Sequence, residues 1–312
     1  MDRRTFAQSL ATAALTAAVP SLAATPASLS SNTNSSPAAE SPTSAAPKFG
    51  LSVMLWTVFN DMPFEDRLAK VVESGYSNVQ LVGEYSKWTQ ADFDRAVAAA
   101  KRLGIQFDAT AGLHNGVANP AVRDAFLAEL KQGLVPMETL GCPAMIVLSG
   151  NVVPDLSHQA QHDSCVETLK QAAKVVEGKA INGQPVRLLL ECIHLEENPK
   201  YFLTSAAEAI EVVRAVNHPQ VQFLYDMYHE QMSYGNLIDK LDKHIDVIGL
   251  IHVADVPGRH EPGTGEIDHG NIFKKLAQLN YRQNVAMEFI PTGNQVAALK
   301  AAKTLALSAG AV

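Results

Sequence analysis

Aromatic side chains are scarce in this chain: Phe, Trp and Tyr together make up 6% of its 312 residues. Stacking single-stranded nucleic acid takes rows of aromatic platforms, and none is evident. Lysine and arginine never run longer than adjacent pairs, and the net charge is −7. Duplex DNA and anionic membranes both reward basic patches, so neither is expected as a partner. Cysteine is also rare. Cys142, Cys165 and Cys192 show no metal-type spacing, and their odd number does not suit a disulfide framework. They read as buried or free thiols.

What the chain does have begins at its N-terminus. Arg3-Arg4-Thr5-Phe6 precedes an apolar stretch from Leu10 to Val19, then Pro20 and the small residues Ser21-Leu22-Ala23. The pattern resembles a twin-arginine export signal over residues 1–24, and it implies a periplasmic protein. The stretch is too short and alanine-rich to span a bilayer, so no stable membrane anchor is expected. Residues 25–47 hold Ala, Ser, Thr, Pro and Asn with a single charge, Glu40. Such a composition buries too little surface to order itself and reads as a disordered linker. The whole chain is 47% hydrophobic, ordinary globular material, and residues 48–312 are close to the roughly 250 residues of one barrel domain.

In that region short apolar runs alternate with amphipathic patterns. Strands are predicted at 49–55, 76–82, 105–110, 144–148, 186–193, 221–225, 247–253 and 285–290. Helices are predicted at 63–74, 90–103, 120–140, 157–178, 205–216, 236–244, 271–279 and 294–308, with Gly104 and Gly141 as stops. Eight such units favour a closed (β/α)8 TIM barrel in a single domain. A doubly wound open sheet usually carries a Gly-rich turn after its first strand, and Leu55-Trp56-Thr57 is not one.

Four of the runs end alike. Leu188-Leu189-Leu190-Glu191, Phe223-Leu224-Tyr225-Asp226, Gly249-Leu250-Ile251-His252 and Val285-Ala286-Met287-Glu288 each finish on a side chain able to bind a metal. Their steps of 35, 26 and 36 residues match one strand-helix unit each. Buried parallel strands deliver their last residues to the C-terminal mouth of a barrel, so the four are expected to converge on one divalent cation. Mixed carboxylate and imidazole donors suit Mn2+, Mg2+, Co2+ or Zn2+, and three carboxylates tilt the choice toward Mn2+ or Mg2+. Cys192 points the other way along its strand and is expected to pack.

Tyr225-Asp226-Met227-Tyr228-His229, Ala254-Asp255 and Arg259-His260-Glu261-Pro262-Gly263-Thr264-Gly265-Glu266-Ile267 resemble the hydroxypyruvate isomerases. More broadly they are similar to the xylose-isomerase-like barrels, which include ketose 3-epimerases, inosose dehydratases and a DNA-repair endonuclease. The resemblance is dense over 188–291 and mostly architectural over 49–150. It implies that Glu191, Asp226, His252 and Glu288 bind one divalent ion, and that Glu191 and Glu288 also move protons. Aldose-ketose exchange takes a proton from a carbon beside a carbonyl and returns it to the neighbouring carbon. A cation holding both substrate oxygens stabilises the enediolate between those steps.

The resemblance also implies substrate contacts at His229, Arg259 and Glu197. His229 is expected to bond a hydroxyl, and Arg259 to grip a carboxylate or else brace its loop through Glu261 or Glu266. Glycines 258, 263 and 265 read as loop formers. Departures exist. Hydroxypyruvate isomerases have glutamine where this chain has His252, as sugar epimerases do, and a glutamate near the end of strand two is Gln80 here, with Glu84 further on. His114 reads as a surface loop residue.

The leading expectation is thus an exported isomerase acting on a small sugar or hydroxy-keto acid, with self-association into a homo-oligomer allowed. A ketose 3-epimerase is the alternative within enzymes. From another class, a periplasmic sugar-binding barrel without turnover would keep the fold, but simple binding needs no paired proton carriers.

Overall fold

The computed structural model of the protein describes residues 49–310. The export segment and linker expected over 1–47 lie outside the described residues. Eight parallel strands form the barrel: β1 (Gly50–Met54), β2 (Asn78–Val82), β3 (Gln106–Ala111), β4 (Ala144–Leu148), β5 (Arg187–Glu191), β6 (Val221–Asp226), β7 (Ile248–Val253) and β8 (Asn284–Met287). Each pairs with its sequence neighbours, and β1 pairs with β8 to close the ring.

Helices connect the strands: α1 (Phe64–Glu73), α2 (Gln90–Leu103), α3 (Arg123–Leu140), α4 (His158–Val176), α5 (Ala206–Val216), α6 (Met227–Ser233), α7 (Leu237–His244), α8 (His269–Gln278) and α9 (Gln295–Gly310). Local chemistry sets their ends. Thr89 and Asp92 exchange side-chain and backbone bonds at the start of α2, and Gly104 ends it at φ 68°. Ser157 and Ser205 cap α4 and α5 by accepting from Ala160 N and Glu208 N.

Side chains alternate across a strand, and this decides what faces the lumen. Leu188, Leu190 and Cys192 join the large core between strands and helices. Met54, Ala109, Ile146, Leu189, Leu224 and Leu250 form a separate small cluster inside the ring. Two residues beyond Leu189, Leu224 and Leu250 stand Glu191, Asp226 and His252, on that same inner side. The expected packing role of Cys192 agrees with its burial.

Several elements differ from the sequence reading. α6 lies where the sequence reading assigns no element; it forms because the Asp226 carboxylate accepts from Tyr228 N and His229 N at the end of β6. A two-residue hairpin pairs Ala180–Ile181 with Gln184–Pro185, turning on Asn182 and Gly183, both at positive φ. An Asn-Gly pair is the residue signal for such a turn. Strand eight ends at Met287 rather than at 290, although Glu288 N still bonds Val253 O at 3.0 Å.

Candidate metal centre

Glu191, Asp226, His252 and Glu288 each offer a ligand atom, and these atoms all lie within 4.8 Å of one another. All four residues are buried. Asp226 and His252 are direct partners in the β6–β7 register. The convergence expected of four strand ends is therefore present at the C-terminal mouth.

Each side chain is aimed by its neighbours. Asp226 gives Oδ1 to the first turn of α6, at 2.8 Å from Tyr228 N and 3.2 Å from His229 N. Its Oδ2 is left for the site. Glu288 Oε1 accepts from Trp56 Nε1 at 2.9 Å. His252 Nε2 lies 2.8 Å from Gln80 Oε1. The other ring nitrogen, Nδ1, faces Glu288 Oε2 at 2.5 Å and Glu191 Oε1 at 3.9 Å.

Although His252 Nδ1 and Glu288 Oε2 are in ion-pair range, neither is in hydrogen-bonding geometry, and both are buried. A buried polar atom without a hydrogen bond is costly, and such atoms are rare in folded proteins. These two atoms meet each other, and Oε2 meets Arg259 Nη2 at 2.7 Å, as close ion pairs only, and their crowding among further carboxylates fits a divalent ion. Three carboxylates and one imidazole match Mn2+, Mg2+, Co2+ or Zn2+ by donor type.

Charge crowding splits the proton affinities of the group. Burial, and then the charge of Glu288, push Glu191 up to about 8. Burial alone would lower the His252 ring, but Glu288 beside it outweighs that and raises it to about 9. Burial opposes ionisation of Glu288 too, yet Arg259 and His252 hold its carboxyl well below the usual carboxylate range. Two buried acids with proton affinities pushed apart are a recurring mark of proton-transfer sites.

Arg259 lies over this group. Its Nη2 is 2.7 Å from Glu288 Oε2 and 3.0 Å from Asp226 Oδ2, and its Nη1 is 3.1 Å from Glu197 Oε2. His229 Nε2 lies 3.2 Å from Arg259 Nη1 and 3.5 Å from Asp226 Oδ2. The three residues expected at the substrate thus meet at the rim of the quartet. Bracing of Arg259 by Glu261 or Glu266 is not seen, because Glu261 bonds Thr292 and Glu266 bonds Gln231.

The loop carrying Arg259 is tied down by Asp255. That carboxylate accepts from the backbone of Val256, Gly263, Gly265 and Ile267. A Cβ at Gly265 would sit 1.9 Å from Val256 O, so only glycine allows the approach. Arg259 itself has φ 58°, a conformation side chains other than glycine seldom take. His114 is exposed and bonds Glu129 through its backbone, away from the quartet.

Several residues of the site escaped sequence reasoning. Trp56 supports Glu288 and stacks 5.7 Å from the Arg259 guanidinium. Tyr228 lies 5.0 Å from the same group. His194 Nδ1 is 2.7 Å from His229 Nδ1, and with Glu197 these form a second group of possible ligands. Trp56 stands just past the end of β1, as Glu288 does past β8, and that position was its available signal.

Comparison with known proteins agrees with this arrangement. Residues 68–306 match the family described as xylose isomerase-like TIM barrel. The chain is 28% identical over 261 residues to the 2-oxo-tetronate isomerase of Haemophilus influenzae, covering 81% of this chain and 97% of the relative. It is 26% identical over 259 residues to the hydroxypyruvate isomerase of Escherichia coli, covering 80% and 96%. A crystal structure described as AP endonuclease, family 2, from Brucella melitensis superposes with a TM-score of 0.72 at 25% identity, covering 81% and 96%.

The likeness to the two isomerases, over nearly their full lengths, marks the chain as an isomerase. The chain belongs to the xylose isomerase-like TIM barrel family.

Proposed function

We propose that this isomerase depends on one divalent metal ion and interconverts small α-hydroxycarbonyl compounds, hydroxy-keto acids or sugars, by carboxylate proton transfer. The observation that carries the proposal is the pair of buried, unbonded atoms, His252 Nδ1 and Glu288 Oε2, among four converging donors. Glu191, Asp226, His252 and Glu288 would hold the ion, Mn2+ or Mg2+ by the weight of carboxylates. Bound there, it supplies positive charge against the substrate's carbonyl and hydroxyl oxygens.

The chain's own groups do the rest. Glu191 and Glu288 come from β5 and β8, on two sides of the cluster, so one carboxylate can take a proton from a substrate carbon while the other returns one. Arg259, His229 and Glu197 form a polar rim suited to a carboxylate and hydroxyls of a small substrate. Burial of the quartet keeps water from competing with the returning proton. No described helix is long and apolar enough to cross a membrane. Arg3-Arg4 and the apolar stretch after them support export by the twin-arginine route, tested by whether the protein fractionates with the periplasm.

His252 supports a second reading, a ketose 3-epimerase, because sugar epimerases carry histidine at this position. One experiment separates the cases. Protein loaded with Mn2+ or Mg2+ is incubated in D2O with hydroxypyruvate and, separately, with a panel of ketoses. The proposal expects deuterium at the substrate α-carbon together with movement of the carbonyl. Inversion at C3 with the carbonyl in place identifies the epimerase, and a pure binding protein exchanges nothing.

A further inference from the structure

We infer that Gln80 and Asp108 are positioning residues that fix which nitrogen of His252 faces the metal centre. The inference rests on the metal reading above and extends it across the lumen, to strands that supply no ligand. His252 Nε2 lies 2.8 Å from Gln80 Oε1, although the two residues are 172 positions apart. Gln80 Nε2 in turn donates to Asp108 Oδ2 at 3.1 Å. Asp108 also accepts from Ser52 Oγ at 2.7 Å and from Asn284 Nδ2 at 2.6 Å.

The direction of this relay follows from what each group can offer. A carboxylate taking three donors has only acceptor oxygens. Gln80 must therefore turn its NH2 toward Asp108, and its carbonyl oxygen is what remains for His252. That oxygen cannot donate, so the ring must carry a proton on Nε2. Nδ1 is then the nitrogen presented to Glu288 and Glu191. Hydrogen bonds at the far nitrogen of a ligating histidine set tautomer and ring angle in metal sites generally. Here the group that sets the amide lies one residue deeper, at Asp108.

The barrel is built to put Asp108 there. The β2–β3 register steps from Val79↔Phe107 to Gln80↔Ala109, leaving Asp108 as an extra residue in β3. Such bulges re-aim a side chain at the cost of one ladder position. Asp108 is buried, and Gln80 is fully enclosed. An isolated carboxylate in that position would be expensive, and the three donors offset part of the cost, while burial still holds the carboxyl above its usual range. Its neighbours Ser52 and Asn284 come from β1 and β8.

The test is a double-mutant cycle on the full chain, read as Mn2+ affinity. Gln80→Leu is expected to weaken Mn2+ binding about 10- to 100-fold, the range for loss of a ligand's outer partner. Asp108→Asn keeps the shape but lets the Gln80 amide turn, and is expected to cost about 10-fold or less. In the Gln80→Leu background the same change should add less than about 2-fold, because Asp108 reaches the ring only through Gln80. Equal losses from Asp108→Asn in both backgrounds, or a Gln80→Leu variant within about 2-fold of wild type, would overturn the relay.

A second readout needs no metal. Long-range proton–nitrogen NMR, at a pH where the His252 ring holds a single proton, should find that proton on Nε2 and slowly exchanging in the wild type, and fast exchange in folded Gln80→Leu. A bare Nε2 in the wild type, or exchange that Gln80→Leu leaves unchanged, contradicts the inference. If the wild type binds no Mn2+, the metal reading fails, and this NMR result alone decides the relay.

Discussion

The two halves of the ring carry buried polar groups of opposite character. Strands β5–β8 bring Glu191, Asp226, His252 and Glu288 together, and His252 Nδ1 and Glu288 Oε2 are left without hydrogen bonds. Strands β1–β3 and the turn after β1 bring Ser52, Trp56, Gln80 and Asp108, whose side chains are hydrogen-bonded to buried partners. Asp108 is as much a buried carboxylate as Glu288; burial pushes its carboxyl above the usual range, but it accepts from three donors and no like charge crowds it. A buried charge surrounded by donors reads as scaffold. Buried charges crowded against one another, with atoms between them held by ion pairs and by no hydrogen bond, read as a place for something else to bind. The difference between the halves locates the chemistry more sharply than burial or charge alone.

Five substitutions and a change of pH break or sharpen that contrast. Glu288→Gln and Glu191→Gln should each lower turnover by about 1,000-fold, within the range for losing a positioned proton carrier. Steady-state rates of carbonyl movement, with circular dichroism to confirm the fold, check this. Asp108→Asn should fall by no more than about 10-fold in the same assay, because it acts only by positioning.

Acidity provides the next test. Glu191, raised to about 8, and His252, raised to about 9, bind protons more tightly in the metal-free fold than in the unfolded chain. Stability from those protons is complete at low pH and is lost as pH rises through these values. Glu288 is ionised in both states across that window and contributes no slope. The melting temperature of metal-free protein should therefore fall between about pH 6 and 9, while Mn2+ should bind more tightly over the same rise. A melting temperature that climbs with pH would contradict the crowding at the quartet.

On the scaffold side, Asp108→Ala orphans the Ser52, Gln80 and Asn284 donors and should cost roughly 1–3 kcal/mol in urea unfolding. Smallest of all, Trp56→Phe removes a single bond to Glu288 Oε1 and should cost about 1 kcal/mol, seen as a several-fold loss in kcat with little change in stability.

How much of this could be read from the chain depends on how local the signal is. Glu191, Asp226 and His252 were legible because strand alternation and a terminal polar residue are both written within a few positions. Glu288 was legible for the same reason, although its strand stops three residues earlier than the pattern suggested. α6 was not read, because a single cap, Asp226, creates it and no helical periodicity announces it. Arg259 was expected to face a substrate carboxylate or its own loop. It faces Glu288, Asp226 and Glu197, a set that only the closed ring brings together. Gln80 was noticed only as a departure from relatives, since its partner lies across the lumen. A charged residue in mid-strand was the available sign for Asp108, but its role depends on a register step that sequence does not display.

The central claim is that four strand-end groups share one ion. Mn2+ titration of the purified full chain, following free Mn2+ by electron paramagnetic resonance, tests it most directly. The account predicts one tightly bound ion per chain and, since losing even an outer partner costs about 10- to 100-fold, at least about 100-fold weaker binding in Asp226→Asn. No tight ion in the wild type, or an ion that Asp226→Asn leaves undisturbed, would contradict it.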